Sequence, residues 1–110
     1  MKKVVLMAIF SLVMLAANAQ NIKTVKLYLA GNCGMCKARI EKAVKTLEGI
    51  QTAEWNKETK VLTVAFNETK TDVTKIQTVV AGVGHDTKAI KANDAVYDKL
   101  HGCCKYERMK

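Results

Sequence analysis

Across Val25 to Leu47 the apolar spacing changes period, and the change falls on two cysteines. Val25, Leu27 and Leu29 alternate with Lys26 and Tyr28, the period-2 pattern of a strand with one buried face. Gly31 and Gly34 break that pattern. From Cys36 onward, Cys36, Ile40, Ala43, Val44 and Leu47 fall at i, i+4, i+7, i+8 and i+11, one face of a helix. Lys37, Arg39, Glu41, Lys42 and Lys45 fill its other faces, and Gly49 ends it. A strand entering a helix through Cys33-Gly34-Met35-Cys36 limits the fold to architectures that place a short turn at the edge of an α/β layer.

The later elements narrow the choice. Ile50–Asn56 and Lys60–Phe66 are extended runs separated by Lys57-Glu58-Thr59, which predicts a hairpin. Asp72 is placed to cap a second helix, whose Val73, Ile76, Val79 and Val80 share one face until Gly82 and Gly84. His85–Lys91 is expected as a last strand. The order β-α-β-β-α-β predicts an α+β, ferredoxin-like open-faced sandwich. Asn93 is expected to start a short helical tail through Leu100, followed by His101-Gly102-Cys103-Cys104.

Residues 1–19 read as an export signal. Lys2 and Lys3 precede a 14-residue apolar run, Val4–Ala17, interrupted only by Ser11. Ala17-Asn18-Ala19 is a small-x-small cleavage site. The run is shorter than the roughly 20 residues of a membrane-spanning helix, so no stable membrane insertion is expected after cleavage. The expected organisation is a signal at 1–19, a domain at 20–92 and a cysteine-containing tail at 93–110. The exported protein would reach the periplasm or the medium, with its cysteines in an oxidising compartment.

The chemistry falls to the cysteines. At a strand-to-helix junction, free backbone N–H groups and the positive helix end favour a thiolate. Two thiolates on one turn suit soft ions such as Cu(I) and Zn(II) rather than Ca(II) or Mg(II). The C-x-x-C alone leaves three readings open: a metal clamp, a thiol-disulfide redox pair, or half of a disulfide-stapled interaction domain. Thioredoxin-like enzymes depend on a cis-proline facing the dithiol, and this chain has no proline.

Element order, motif position and length over about Ile22–Lys91 resemble the heavy-metal-associated domain family. That family includes small copper chaperones, modules of copper-transporting ATPases and the periplasmic mercury-binding protein. The resemblance implies a non-enzymatic protein binding Cu(I), or else Zn(II) or Hg(II), through Cys33 and Cys36. It implies delivery by ligand exchange to a metal-transporting ATPase or another acceptor, and allows a metal-bridged homodimer. Ala30-Gly31-Asn32-Cys33 stands where the family usually reads Gly-Met-Thr-Cys. His85 stands where it often has tyrosine or phenylalanine. His85 reads as an exposed residue opening the last strand, with a third-ligand role as the alternative.

Cys103 and Cys104 are unusual for that family. Adjacent cysteines rarely bond to each other, so each is expected to seek another partner. Either they join Cys33 and Cys36 in a three- or four-thiolate site, with His101 assisting, or one forms a disulfide with that pair. A disulfide closing about 70 residues would add about 4 kcal/mol on the chain-entropy model. Trp55 is read as packing, Met35 as a turn residue and Met109 as a frayed end.

The formal charge of +8, or +6 without Lys2 and Lys3, raises nucleic acid as a partner. An RNA-recognition motif shares the element order but stacks bases on aromatics of its central strands. Here those strands offer only Tyr28 and Phe66. No nucleic-acid partner is expected.

Overall fold

The computed structural model describes residues 21–109; the expected signal at 1–19 lies outside the described residues. Three strands, β1 (Ile22–Tyr28), β2 (Ile50–Trp55) and β3 (Val61–Asn67), form an antiparallel sheet in the order β1-β3-β2. Val25 pairs with Val64 and Leu27 with Leu62; across β3, Ala53 pairs with Val64 and Trp55 with Leu62. The period-2 pattern thus puts Leu62, Val64 and Phe66 on one buried face while Thr63 stays exposed.

Two helices cover that face, α1 (Gly34–Lys45) and α2 (Val73–Gly82). Helix α1 buries Cys36, Ile40, Ala43 and Val44, the stripe expected from its spacing. Lys42 and Lys45 lie in its last turn, where cations oppose the negative helix end. Helix α2 is capped as expected, the Asp72 carboxylate accepting from Lys75 N–H at 2.8 Å. Trp55 sits at the centre of the core, and its indole N–H donates to the Leu29 carbonyl at 2.9 Å. Gly31 permits this packing, because a Cβ there would lie 3.0 Å from the indole ring and 3.1 Å from Cys36 Cβ.

The last strand is a correction. His85–Lys91 does not form one; only an isolated bridge joins Leu29 to Thr87. The segment is held by local bonds that compete with a ladder. Thr87 N–H donates to Ile90 O at 2.8 Å, and Ile90 N–H donates to the Thr87 hydroxyl at 2.8 Å. The sheet therefore has three strands. The chain then forms α3 (Asp94–Asp98), shorter than expected, with Asn93 accepting from Ala95 N–H, and a 3-10 turn at Gly102–Cys104. Leu100, Cys104 and Tyr106 belong to the same buried core as Trp55. Met109 packs against that core, which corrects its reading as a frayed end.

Candidate metal centre

Cys33 is the N-cap residue of α1, extended at φ −143° and ψ −178°. Its sulfur faces the unpaired amides of the first turn. The backbone N–H of Cys36 lowers the pKa of Cys33 to about 6, against opposing partial burial and with help from the neighbouring thiols. Cys33 is thus a thiolate at neutral pH. Cys36, one turn on, is fully buried. Burial pushes its thiol up to about 11, although the Asn32 N–H donates to its sulfur at 3.4 Å.

The tail completes the cluster. Cys33 Sγ lies 3.6 Å from Cys36 Sγ, 3.7 Å from Cys103 Sγ and 3.5 Å from Cys104 Sγ. Cys103 and Cys104 sulfurs are 3.8 Å apart. All four are free thiols. Hydrogen bonding to Cys33 raises the exposed Cys103 thiol to about 11. Met35 is exposed on α1 with its thioether sulfur 3.6 Å from Cys103 Sγ. Cys33, Cys103 and Cys104 sulfurs all lie within 4.8 Å of one another, at separations of 3.5–3.8 Å, whereas Cys36 approaches the group through Cys33.

A second network holds the tail there. The Asp86 carboxylate is wholly buried and accepts from Arg108 Nε at 2.8 Å and Arg108 Nη2 at 3.0 Å. It also accepts from Ala92 N–H at 2.8 Å and Met109 N–H at 3.0 Å. Burial alone would raise its pKa, but these donors, Arg108 first, hold it below the usual carboxylate range. Arg108 also donates to Asp94 and to the Ala92 carbonyl, and its guanidinium lies 4.5 Å from the Tyr97 ring centroid. The Tyr106 hydroxyl donates to Gly84 O at 2.7 Å and accepts from Asp86 N–H at 2.8 Å. The Tyr97 hydroxyl donates to Tyr106 O at 2.6 Å.

His85 is not the exposed residue expected. It is fully buried, stacked on Tyr106 at 5.4 Å between ring centroids. His85 Nδ1–H donates to the Ala30 carbonyl at 2.8 Å, which fixes the tautomer. Nε2 then faces Arg39 Nη1 at 3.4 Å rather than the thiols. Burial, with the charge of Arg39, lowers its pKa despite the bond to Ala30. His101 is exposed beside the turn. The groups of three metal-ligating side chains among the described residues comprise Cys33, Cys103 and Cys104 alone. Asp86, Tyr106 and Arg108 escaped the reading of the sequence, since no spacing pairs an aspartate with an arginine 22 residues away.

The profile of the heavy-metal-associated domain matches residues 32–86, half of the chain. The chain belongs to the heavy-metal-associated domain family. It is 34% identical over 74 residues to the copper-exporting P-type ATPase of Staphylococcus aureus strain Newman. It is 31% identical over 81 residues to copper-transporting ATPase 2 of Rhizobium meliloti. These alignments cover 66% and 73% of this chain but only 9% and 10% of the ATPases. Among solved structures, the CopZ metallochaperone superposes with a TM-score of 0.58 at 26% identity, covering 59% of this chain and 98% of its own. Oxidized MerP from Ralstonia metallidurans CH34 gives 0.58 at 29%, covering 61% and 94%. The α+β, ferredoxin-like fold expected from the element order is therefore the family fold. Cys103 and Cys104 lie outside the matched stretch.

Proposed function

We propose that this heavy-metal-associated protein is an exported, non-catalytic carrier of soft metal ions, with Cu(I) as the principal cargo and Zn(II) or Hg(II) as competitors. The observation that carries the reading is Cys33 at a helix start with three further sulfurs within 3.7 Å, a setting that lowers its pKa. An ionised thiol is the form that binds a soft ion, and neighbouring thiols allow ligands to exchange without release of the ion to water. Likeness to copper-exporting ATPases and to CopZ supports copper and an ATPase or similar acceptor as partner. The signal pattern at 1–19 supports export.

Anaerobic titration of the reduced protein with Cu(I) against a chromophoric chelator tests the reading. Tight stoichiometric binding that is lost in Cys33→Ser is expected. Failure to outcompete even a weak chelator refutes it. Protein recovered from the export compartment should begin at Gln20. One further reading has an observation in its favour: Cys33, at about 6, faces Cys36, at about 11, across 3.6 Å, an asymmetric dithiol of the kind redox proteins use. Turnover of a dithiol substrate, insensitive to Cu(I), would support that reading instead.

A further inference from the structure

Three sulfurs of the cluster differ from the fourth. Cys33, Cys104 and Cys103 form a nearly equilateral triangle with sides of 3.5, 3.8 and 3.7 Å. With bonds of about 2.3 Å, an ion equidistant from these sulfurs, 3.5–3.8 Å apart, lies about 0.9 Å out of their plane. Little movement of the sulfurs is needed. The pair at the C-x-x-C is less suited to two opposed bonds. Such bonds of about 2.3 Å need sulfurs about 4.6 Å apart, whereas Cys33 and Cys36 stand at 3.6 Å. Cys36 also lies outside the group of sulfurs that are all within 4.8 Å of one another, and its sulfur accepts from Asn32 N–H.

We propose that the resting metal site is a three-thiolate site of Cys33, Cys103 and Cys104, closed by the chain's own tail, with Cys36 held in reserve. The inference rests on the soft-metal reading and specifies the ligands of that same site. Its consequence is regulatory. A two-cysteine acceptor enters a Cu(I) site by adding a third thiolate, and here the tail already occupies that position. A second copy of the chain likewise has no vacant position to fill, so the loaded protein is monomeric. Transfer requires the tail to lift, leaving the ion to Cys33 and Cys36. The anchors that oppose lifting are the Tyr106 hydroxyl, between Gly84 O and Asp86 N–H, and the Arg108–Asp86 pair.

The test is copper K-edge X-ray absorption of the Cu(I)-loaded full chain, with affinity measured by chelator competition. Three sulfur ligands per copper are expected in the wild type and in Cys36→Ser, whose affinity should stay within about threefold. Cys104 is packed in the core, so Cys103→Ser, at an exposed position, carries the test of the tail. It should fall to two sulfur ligands and lose about tenfold or more in affinity, equivalent to about 1.4 kcal/mol. Arg108→Gln keeps every sulfur and should speed Cu(I) transfer to a two-cysteine acceptor. Two sulfur ligands in the wild type, or loss of binding in Cys36→Ser with none in Cys103→Ser, would overturn the inference and leave the soft-metal reading standing. No Cu(I) binding by the wild type would overturn both.

Discussion

Replacing Arg108 with glutamine tests whether the tail is fastened by a buried charge. The Asp86 carboxylate is fully shielded from water and accepts four hydrogen bonds, two of them from Arg108. Removing one member of a wholly buried pair costs about 3–5 kcal/mol, because the remaining charge is stranded. Here the guanidinium is 26% exposed, and the N–H groups of Ala92 and Met109 still serve the carboxylate. A loss of about 2–3 kcal/mol is therefore expected. For a domain of this size, that lowers the melting temperature by about 10–20 °C. Urea unfolding of the reduced protein, followed by fluorescence of Trp55, the chain's single tryptophan, measures it directly. The pH dependence gives a sharper criterion. Asp86 has a folded pKa below its unfolded one, which is near 3.9. Its stabilisation is thus full above that unfolded value and is lost as the pH falls through the folded one. The variant's deficit should be complete at pH 7 and shrink in acid as the stranded carboxylate takes a proton. A deficit below about 0.5 kcal/mol, the size of an ordinary surface change, would refute the argument. So would a deficit unchanged by adding Asp86→Asn.

Three further outcomes are expected. Iodoacetamide should modify Cys33 first, with a rate midpoint near pH 6, while exposed Cys103 reacts slowly because its thiol titrates near 11; mass mapping that finds Cys103 first would contradict the assignment of the thiolate. His85 has a folded pKa below its unfolded one, so its neutral form stabilises the fold above about pH 6.5 and that contribution fades as the pH falls toward the folded value. His85→Gln should therefore flatten the decline in stability between pH 7 and 5, and an unchanged slope would show that other groups cause it. Gly31→Ala would place a Cβ 3.0 Å from the Trp55 ring and 3.1 Å from Cys36 Cβ, so thermal unfolding should show a loss of about 1–3 kcal/mol from overpacking.

The parts legible in the sequence are those with short-range causes. The stripe of α1 and the alternation of β3 report which face is buried, and Asp72 caps its helix through a carboxylate three residues from the amide it serves. The C-x-x-C could be placed because two neighbouring elements meet there. His85–Lys91 misled for the opposite reason. Its composition allows a strand, but Thr87 satisfies the backbone of Ile90, and His85 and Asp86 bond outside any ladder. Asp86 and His85 are buried because partners from distant segments compensate them, and no local pattern records those partners.

The missing strand and the added thiols have a common cause. Without a full fourth strand, the edge beside Leu29 and Ala30 is met only by the bridge to Thr87 and by the bond from Ala30 N–H to Asp86 O. The polar groups exposed by that irregular segment become anchors instead. Asp86 takes Arg108, its amide takes the Tyr106 hydroxyl, and His85 stacks on the Tyr106 ring. Tyr106 follows Cys104 by two residues, so seating its ring beside His85 limits where the 3-10 turn can lie. That turn brings Cys103 and Cys104 to Cys33 across about 70 residues of chain. The family motif supplies one thiolate at a helix start, and a tail outside the family match supplies two more sulfurs. The geometry of the sulfur cluster is thus set by the same contacts that complete the core. Any substitution that frees Tyr106 or Arg108 should change metal coordination and stability together, whereas Cys103→Ser, at an exposed position, should change coordination with little effect on the fold.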